Sequence, residues 1–259
     1  MLMKMMFEVE RQDLADTVRE MFNRKDTNIA GGNMSVKVFD QTGHPYLLLT
    51  PSFMSETYYA KLSPAQILVI DFDTLEKIDG VGVVTREVNM HELAYKAHPG
   101  IRCVYHSHSE ESMFWATMGK DMPNVTEVTR ELGEIKCLPF APACSQELAD
   151  TVFEALKKIG NKAMENIFLL NSHGVLITST DLHVAARILE TVEWNARIAY
   201  QQTIFIKLGI LNDYQSCGND YKVPMPAGSL PGIALPGINK INIPQPFPED
   251  IQRPNEDIY

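Results

Sequence analysis

Three histidines carry the most informative pattern in the chain, in Tyr105-His106-Ser107-His108 and in Asn171-Ser172-His173-Gly174. Neutral imidazole nitrogens are ligands for divalent metal ions, and three of them meeting at one point leave a fourth position for a carboxylate, a water or a substrate. His106 and His108 follow Ile101-Arg102-Cys103-Val104, a run that reads as a strand. At a period of two, both rings leave the same face. His173 ends a second apolar run, Ile167-Phe168-Leu169-Leu170, and precedes a glycine that lets the backbone turn tightly. The best carboxylate is Glu87, which starts a short helix running to Ala97 and stopped by His98-Pro99-Gly100. The histidine strand follows directly, so helix and strand should be antiparallel neighbours. A carboxylate able to touch the ion and leave it would serve as a base held beside a Lewis acid.

Plainer roles stand beside these. A strand-end histidine is usually a half-buried hydrogen-bonding residue, and an acid at a helix start complements the helix dipole. His91, one turn after Glu87, suggests a zinc-protease helix, but Tyr95 occupies the place of the second histidine that motif needs. His44 and His98 sit in turns and His183 in the first turn of a long helix, where solvated or capping roles are the default. The segments Gly31-Gly32-Asn33-Met34-Ser35 and Thr50-Pro51-Ser52 read as loops at opposite ends of the first hairpin strands. Their hydroxyls and free amides suit an anion, although neither matches a phosphate-binding P-loop.

The elements that must position these residues are legible from periodicity. Residues 7 to 24 place Phe7, Leu14, Val18, Met21 and Phe22 on one stripe, the pattern of an amphipathic helix. Two strands, Met34 to Phe39 and Tyr46 to Thr50, flank the turn Asp40-Gln41-Thr42-Gly43, and a third spans Ile67 to Phe72. Residues 109 to 117 read as helix and 135 to 138 as strand. Residues 145 to 160 read as a helix capped by Ser145 and ended by Gly160. Thr180 or Asp181 caps a long helix through about Leu208. Strands dominate the first third and helices the second half, which favours an α+β layered domain over a doubly wound parallel sheet.

The chain has 259 residues, 45% of them hydrophobic and 22% charged, enough for a sizeable core. A formal charge of -10 with no basic cluster argues against nucleic acid or an anionic membrane as partner and for a small molecule. Cysteines 103, 137, 144 and 217 form no CxxC pair, and the N-terminus lacks a signal-length apolar region. A cytoplasmic protein with reduced thiols is expected. No apolar run approaches the length of a membrane span. Residues 1–223 read as one domain. Residues 224–259 hold eight of the fifteen prolines and read as a tail packing on the surface or on a neighbouring subunit.

Five motifs in order resemble the class II aldolase and adducin head-domain family: Ala30-Gly31-Gly32-Asn33-Met34-Ser35, Leu49-Thr50-Pro51-Ser52, Thr85-Arg86-Glu87 with His91 and Tyr95, Val104 to His108, and Asn171 to Gly174. The resemblance covers about residues 8 to 208. It implies a three-layer α/β/α domain with a mostly antiparallel central sheet, commonly a homotetramer with active sites between subunits. It implies that His106, His108 and His173 bind a divalent ion, usually Zn2+ or another such as Mn2+. Glu87 falls on the acid that ligates the empty metal and then carries the proton of the aldol step. The anion-binding elements of the phosphate-using relatives are matched by Gly32, Asn33 and Ser52. Phe53 replaces a second glycine, and Thr85-Arg86 replaces paired serines. Arg86 can clamp a carboxylate as readily as a phosphate. Where relatives place a tyrosine or aspartate from the neighbouring subunit, this chain offers Glu127, Arg130 and Glu131, with Glu127 the candidate proton donor.

The expected activity is metal-dependent aldol cleavage of a hydroxylated ketose or sugar phosphate through a stabilised enediolate. The same site also suits decarboxylation, epimerisation or dehydration of a carboxylated substrate. A non-catalytic adducin-like interaction module would predict a decayed ligand set, whereas Glu87 and all three histidines are present.

Overall fold

A computed structural model describes residues 5–29 and 31–215 of the chain; the proline-rich tail from residue 224 lies outside the described residues. An eight-stranded sheet forms the middle layer. Its strands are β1 (Gly32–Phe39), β2 (Pro45–Leu49), β3 (Leu68–Asp71), β4 (Lys77–Asp79), β5 (Cys103–Ser107), β6 (Lys136–Leu138), β7 (Asn166–Leu170) and β8 (Gly174–Ser179). They lie in the order β4-β3-β2-β1-β5-β8-β7-β6. Every neighbouring pair is antiparallel except β6 with β7.

Among the described residues, six α-helices cover the sheet: α1 (Glu8–Asn23), α2 (Met54–Tyr58), α3 (Val88–Ala97), α4 (Glu110–Met118), α5 (Gln146–Ile159) and α6 (Leu182–Lys207). Two buried clusters show the layering. Leu14, Val18 and Met21 of α1, Trp115 of α4 and Ile188, Leu189 and Val192 of α6 pack with Met34, Leu48, Tyr105 and Ile177 on one face. Met90, Ala94 and Tyr95 of α3 and Leu148, Val152 and Leu156 of α5 pack with Leu47, Leu49, Val104 and Leu176 on the other. Alternate residues of one strand thus enter opposite cores. With helices on both faces, β5, β7 and β8 are buried at every position, which is why they read as near-continuous apolar runs.

The expected three-layer α+β architecture is the observed one. Ser145 caps α5 by accepting from the Leu148 amide at 3.0 Å, and Gly160 ends that helix at φ 59°. Asp181, not Thr180, caps α6, accepting from the amides of His183 and Val184.

Helices predominate in the second half as expected, with β6, β7 and β8 extending the sheet between them. The short edge strand β4 has no counterpart in the sequence pattern. One expectation needs correction. The segments beginning at Gly31 and Thr50 lie at the same end of the first hairpin, since antiparallel pairing brings the start of β1 beside the end of β2. Met34 and Thr50 seal that end: the Thr50 amide donates to the Met34 carbonyl and the Met34 amide to Thr50 Oγ1, each at 3.0 Å.

The loop before β1 supports the end of β5. The Asp26 carbonyl accepts hydrogen bonds from the hydroxyls of Ser107 and Tyr105. Burial, with Glu190 and Glu193 nearby, pushes the Asp26 carboxyl up to about 7. The folded protein therefore holds a proton there that the unfolded chain gives up above the ordinary value of 3.8. Stability is present below that ordinary value and is lost as the pH rises through 7. Asp26→Asn is expected to gain about 2–4 kcal/mol over wild type at pH 8 and little near pH 4. Urea midpoints at the two pH values check this, and a gain independent of pH would contradict it.

Candidate metal centre

Four side chains converge where β5, the β7–β8 turn and the start of α3 meet. His106 pairs across the sheet with Asn33 on one side and Leu176 on the other, so its ring stands on the α3 face. His108 lies just beyond β5, where its carbonyl accepts from Asn28 Nδ2 at 2.7 Å. His173 occupies the turn into β8, after Ser172 at φ 60°. Glu87 is the N-cap of α3, yet it makes no side-chain capping hydrogen bond. Its carboxylate turns toward the imidazoles instead. The plain dipole-complementing role does not account for that orientation.

The distances suit one ion. His106 Nε2 lies 3.0 Å from His108 Nε2 and 3.5 Å from Glu87 Oε2, and His173 Nε2 lies 3.3 Å from Glu87 Oε1. Donor atoms about 2.0–2.1 Å from a tetrahedral ion stand roughly 3.3–3.4 Å apart, so these separations approximate the edges of such a polyhedron. His106 Nδ1 donates to the Val175 carbonyl at 2.9 Å, which leaves the Nε2 lone pair facing the cluster. A backbone acceptor behind a ligating ring is a usual way to fix its tautomer.

The protonation states agree. Burial lowers the pKa values of His106 and His173, the latter to about 4, so both rings are neutral at pH 7. Burial alone would raise Glu87, but His106, the hydrogen bond from Asn33 and His173 outweigh it and hold the carboxyl at about 2. Neutral nitrogens beside a carboxylate form a donor set for a divalent cation. Glu87 Oε1 and His173 Nδ1 are also buried without hydrogen-bond partners, and an unpaired buried carboxylate oxygen is costly unless something cationic meets it. The residues present therefore fit a metal ion held by His106, His108, His173 and Glu87.

Other expected site residues are placed unevenly around this centre. Asn33 is buried, and its amide is committed to Glu87 and His91. Gly32 sits where a Cβ would lie 2.9 Å from the His106 carbonyl, so only glycine fits. Thr85 is buried, and its hydroxyl accepts from the Glu87 amide at 3.3 Å. Ser52 is half-buried, its amide bonded to the Val83 carbonyl at 2.8 Å. Phe53 adopts φ 60° and is exposed, so a non-glycine residue takes a left-handed backbone beside the site. Arg86 is exposed, with no hydrogen-bond or ion-pair partner for its guanidinium among the described residues. Glu127 is exposed at the start of a 3-10 segment, Glu127–Leu132, and is not part of the histidine cluster.

His91 falls in the Glu87 motif, but its role beside the site was not legible. It is fully buried and held neutral by that burial, with its pKa lowered to about 3. The available signal was the four-residue spacing of Glu87, His91 and Tyr95, which puts all three on one helix face.

Fold and cluster together define a class: three-layer α/β/α domains bearing a histidine cluster that could hold a metal ion on a mostly antiparallel sheet. The chain belongs to the family described as Class II Aldolase and Adducin N-terminal domain, whose sequence profile matches residues 12–200. It is 26% identical over 198 residues to a 5-deoxy-D-ribulose 1-phosphate aldolase of Bacillus thuringiensis, covering 76% of this chain and 87% of that one. It is 25% identical over 189 residues to a 3-oxo-tetronate 4-phosphate decarboxylase of Haemophilus influenzae, covering 70% of this chain and 82% of the relative. A solved L-fuculose 1-phosphate aldolase shares the fold with a TM-score of 0.65 at 23% identity, covering 75% of this chain and 86% of that one.

Proposed function

We propose that the protein is a divalent-metal-dependent lyase that cleaves a carbon–carbon bond in a small hydroxylated ketose bearing a phosphate or carboxylate. The observation that carries this reading is the clustering of His106, His108 and His173 beside the Glu87 carboxylate, whose Oε1 faces His173 with no hydrogen-bond partner. A bound Zn2+, or another divalent ion such as Mn2+, supplies Lewis acidity to a substrate carbonyl and its neighbouring hydroxyl oxygen. Glu87 Oε1 takes the proton from the substrate hydroxyl or returns one to carbon, as an acceptor already ionised at neutral pH. Arg86 meets the substrate anion with a fork of N–H donors, beside the Ser52 and Thr85 segments and the Gly32 backbone. Glu127 donates a proton from a neighbouring subunit. Its placement outside the cluster of its own chain is compatible with that role.

Association into a homotetramer is part of the reading, supported by Phe114 of α4, Trp194 and Phe205 of α6 and Leu208 just after it, all of which are exposed. A cytoplasmic setting is proposed with it. Among the described residues Cys103, Cys137 and Cys144 are free thiols, and no helix is long and apolar enough to cross a membrane. Decarboxylation of a 3-keto acid is the second reading, favoured by the unpaired Arg86 and by the similarity to a decarboxylase. Epimerisation or dehydration would use the same centre.

Metal analysis followed by a screen of ketose 1-phosphates against phosphorylated and free 3-keto acids tests this directly. Chelation is expected to abolish turnover and added Zn2+ or Mn2+ to restore it. A metal-free preparation that stays fully active would end the proposal.

A further inference from the structure

The helix face that carries Glu87 continues through His91 and Tyr95, and it packs on the buried start of β1. Tyr95 Oη donates to the Ser35 carbonyl at 2.8 Å and lies 2.9 Å from Ser35 Oγ. Ser35 Oγ lies 2.7 Å from His91 Nδ1, and His91 Nε2 meets Asn33 Oδ1. Asn33 Nδ2 donates to Glu87 Oε2 at 2.7 Å. Ser35 and His91 are fully buried, and Tyr95 and Asn33 are nearly so.

From Glu87 to the Ser35 hydroxyl, the donors and acceptors of this chain of bonds can be assigned in only one way. An ionised carboxylate only accepts, so Asn33 must present its NH2 to Glu87. Its Oδ1 then accepts, which requires the proton of the neutral His91 ring to sit on Nε2. His91 Nδ1 is left as an acceptor, and the Ser35 hydroxyl must donate to it. Tyr95 closes the series on the Ser35 carbonyl. A fully satisfied buried network of this kind selects one geometry, because any reversal leaves a buried group unpaired.

We propose that Asn33, His91, Ser35 and Tyr95 form a positioning relay that pins Glu87 Oε2 and leaves Oε1 as the oxygen presented to the metal ion and the substrate proton. The relay deepens, and rests on, the metal-lyase reading above. It also reassigns Asn33. Its side chain is spent on Glu87, so a substrate anion meets only backbone at that position.

Two measurements test this independently. Long-range proton–nitrogen correlation spectra of the histidine rings in the metal-free protein are expected to show His91 protonated at Nε2. Protonation at Nδ1 would reverse the Asn33 amide and overturn the relay, whatever the state of the metal reading. The second measurement uses Co2+ as probe, followed by its visible absorption in wild type, His91→Leu and His91→Gln. Glutamine keeps a donor near the Nε2 position, and leucine does not. His91→Leu is expected to bind Co2+ about 10–100-fold more weakly with an altered spectrum, and to lose kcat with KM retained. His91→Gln should recover most of both. A folded His91→Leu protein with wild-type Co2+ affinity and spectrum would overturn the relay. Should His91→Leu fail to fold, the ring spectra of wild type still decide the proposal. Failure of wild type itself to take up Co2+ would count against the metal-lyase reading, and the ring spectra would still decide the relay.

Discussion

Replacing Glu87 by glutamine is expected to lower kcat by about 10²–10⁴-fold while the protein folds and keeps nearly all of its metal. The fold should survive because Glu87, although the N-cap of α3, makes no capping hydrogen bond that the substitution could remove. The glutamine carbonyl can accept from Asn33 Nδ2 as Glu87 Oε2 does, so the link to β1 persists. Its amide then takes the place of Oε1, opposite His173 Nε2. Three imidazoles remain to hold the ion. An amide cannot accept and return a proton at neutral pH, so the loss falls on turnover. Steady-state kinetics, metal content and melting temperature measured on one preparation separate these effects. Wild-type turnover would remove Glu87 from the proton-transfer role, and loss of metal together with turnover would show that the carboxylate is needed mainly as a ligand.

How much of this site could be read in the chain depended on how local each relation is. The period-two spacing of Val104, His106 and His108 was legible because one strand fixes it, and the structure places both rings in a single cluster. Glu87 was legible as a helix start next to a chain reversal. The strand β8 was not. Its Val175, Leu176 and Ile177 follow the histidine turn immediately, with no polar alternation to mark a second strand. That strand nonetheless completes the site, because the Val175 carbonyl fixes the His106 tautomer. The edge strand β4 was missed for the opposite reason, being three exposed residues with no core face. The bond between His91 and Asn33 joins residues 58 apart in sequence. It depends on α3 lying over β1, which no local pattern fixes. The reading of Asn33 as an anion ligand followed its motif, whereas the packing of α3 gave its amide two buried partners.

Gly174→Ala is expected to cost stability and metal binding together, because at this position backbone packing and the metal cluster meet. Gly174 opens β8, pairs with Leu170 and follows His173 directly. Its φ is not in the left-handed region, so no conformational strain is at issue. The constraint is space. A Cβ there would lie 2.5 Å from the Ser107 carbonyl oxygen, 2.9 Å from His108 Cδ2 and 3.0 Å from His106 Cε1. The nearest of these is backbone in a strand paired on both sides, β1 to one and β8 to the other, so it has little freedom to withdraw. The two rings can move, but only by separating nitrogens that stand 3.0 Å apart. Overpacking of this kind costs about 1–3 kcal/mol, and relief through the rings is relief at the expense of the metal site. Denaturant melts of the metal-free protein isolate the packing part, and the metal-dependent rise in melting temperature isolates the other. Both should fall in the variant. If the metal-free melt drops while the metal-dependent rise is unchanged, β5 and β8 part without disturbing the histidines, and the backbone contact alone explains the glycine.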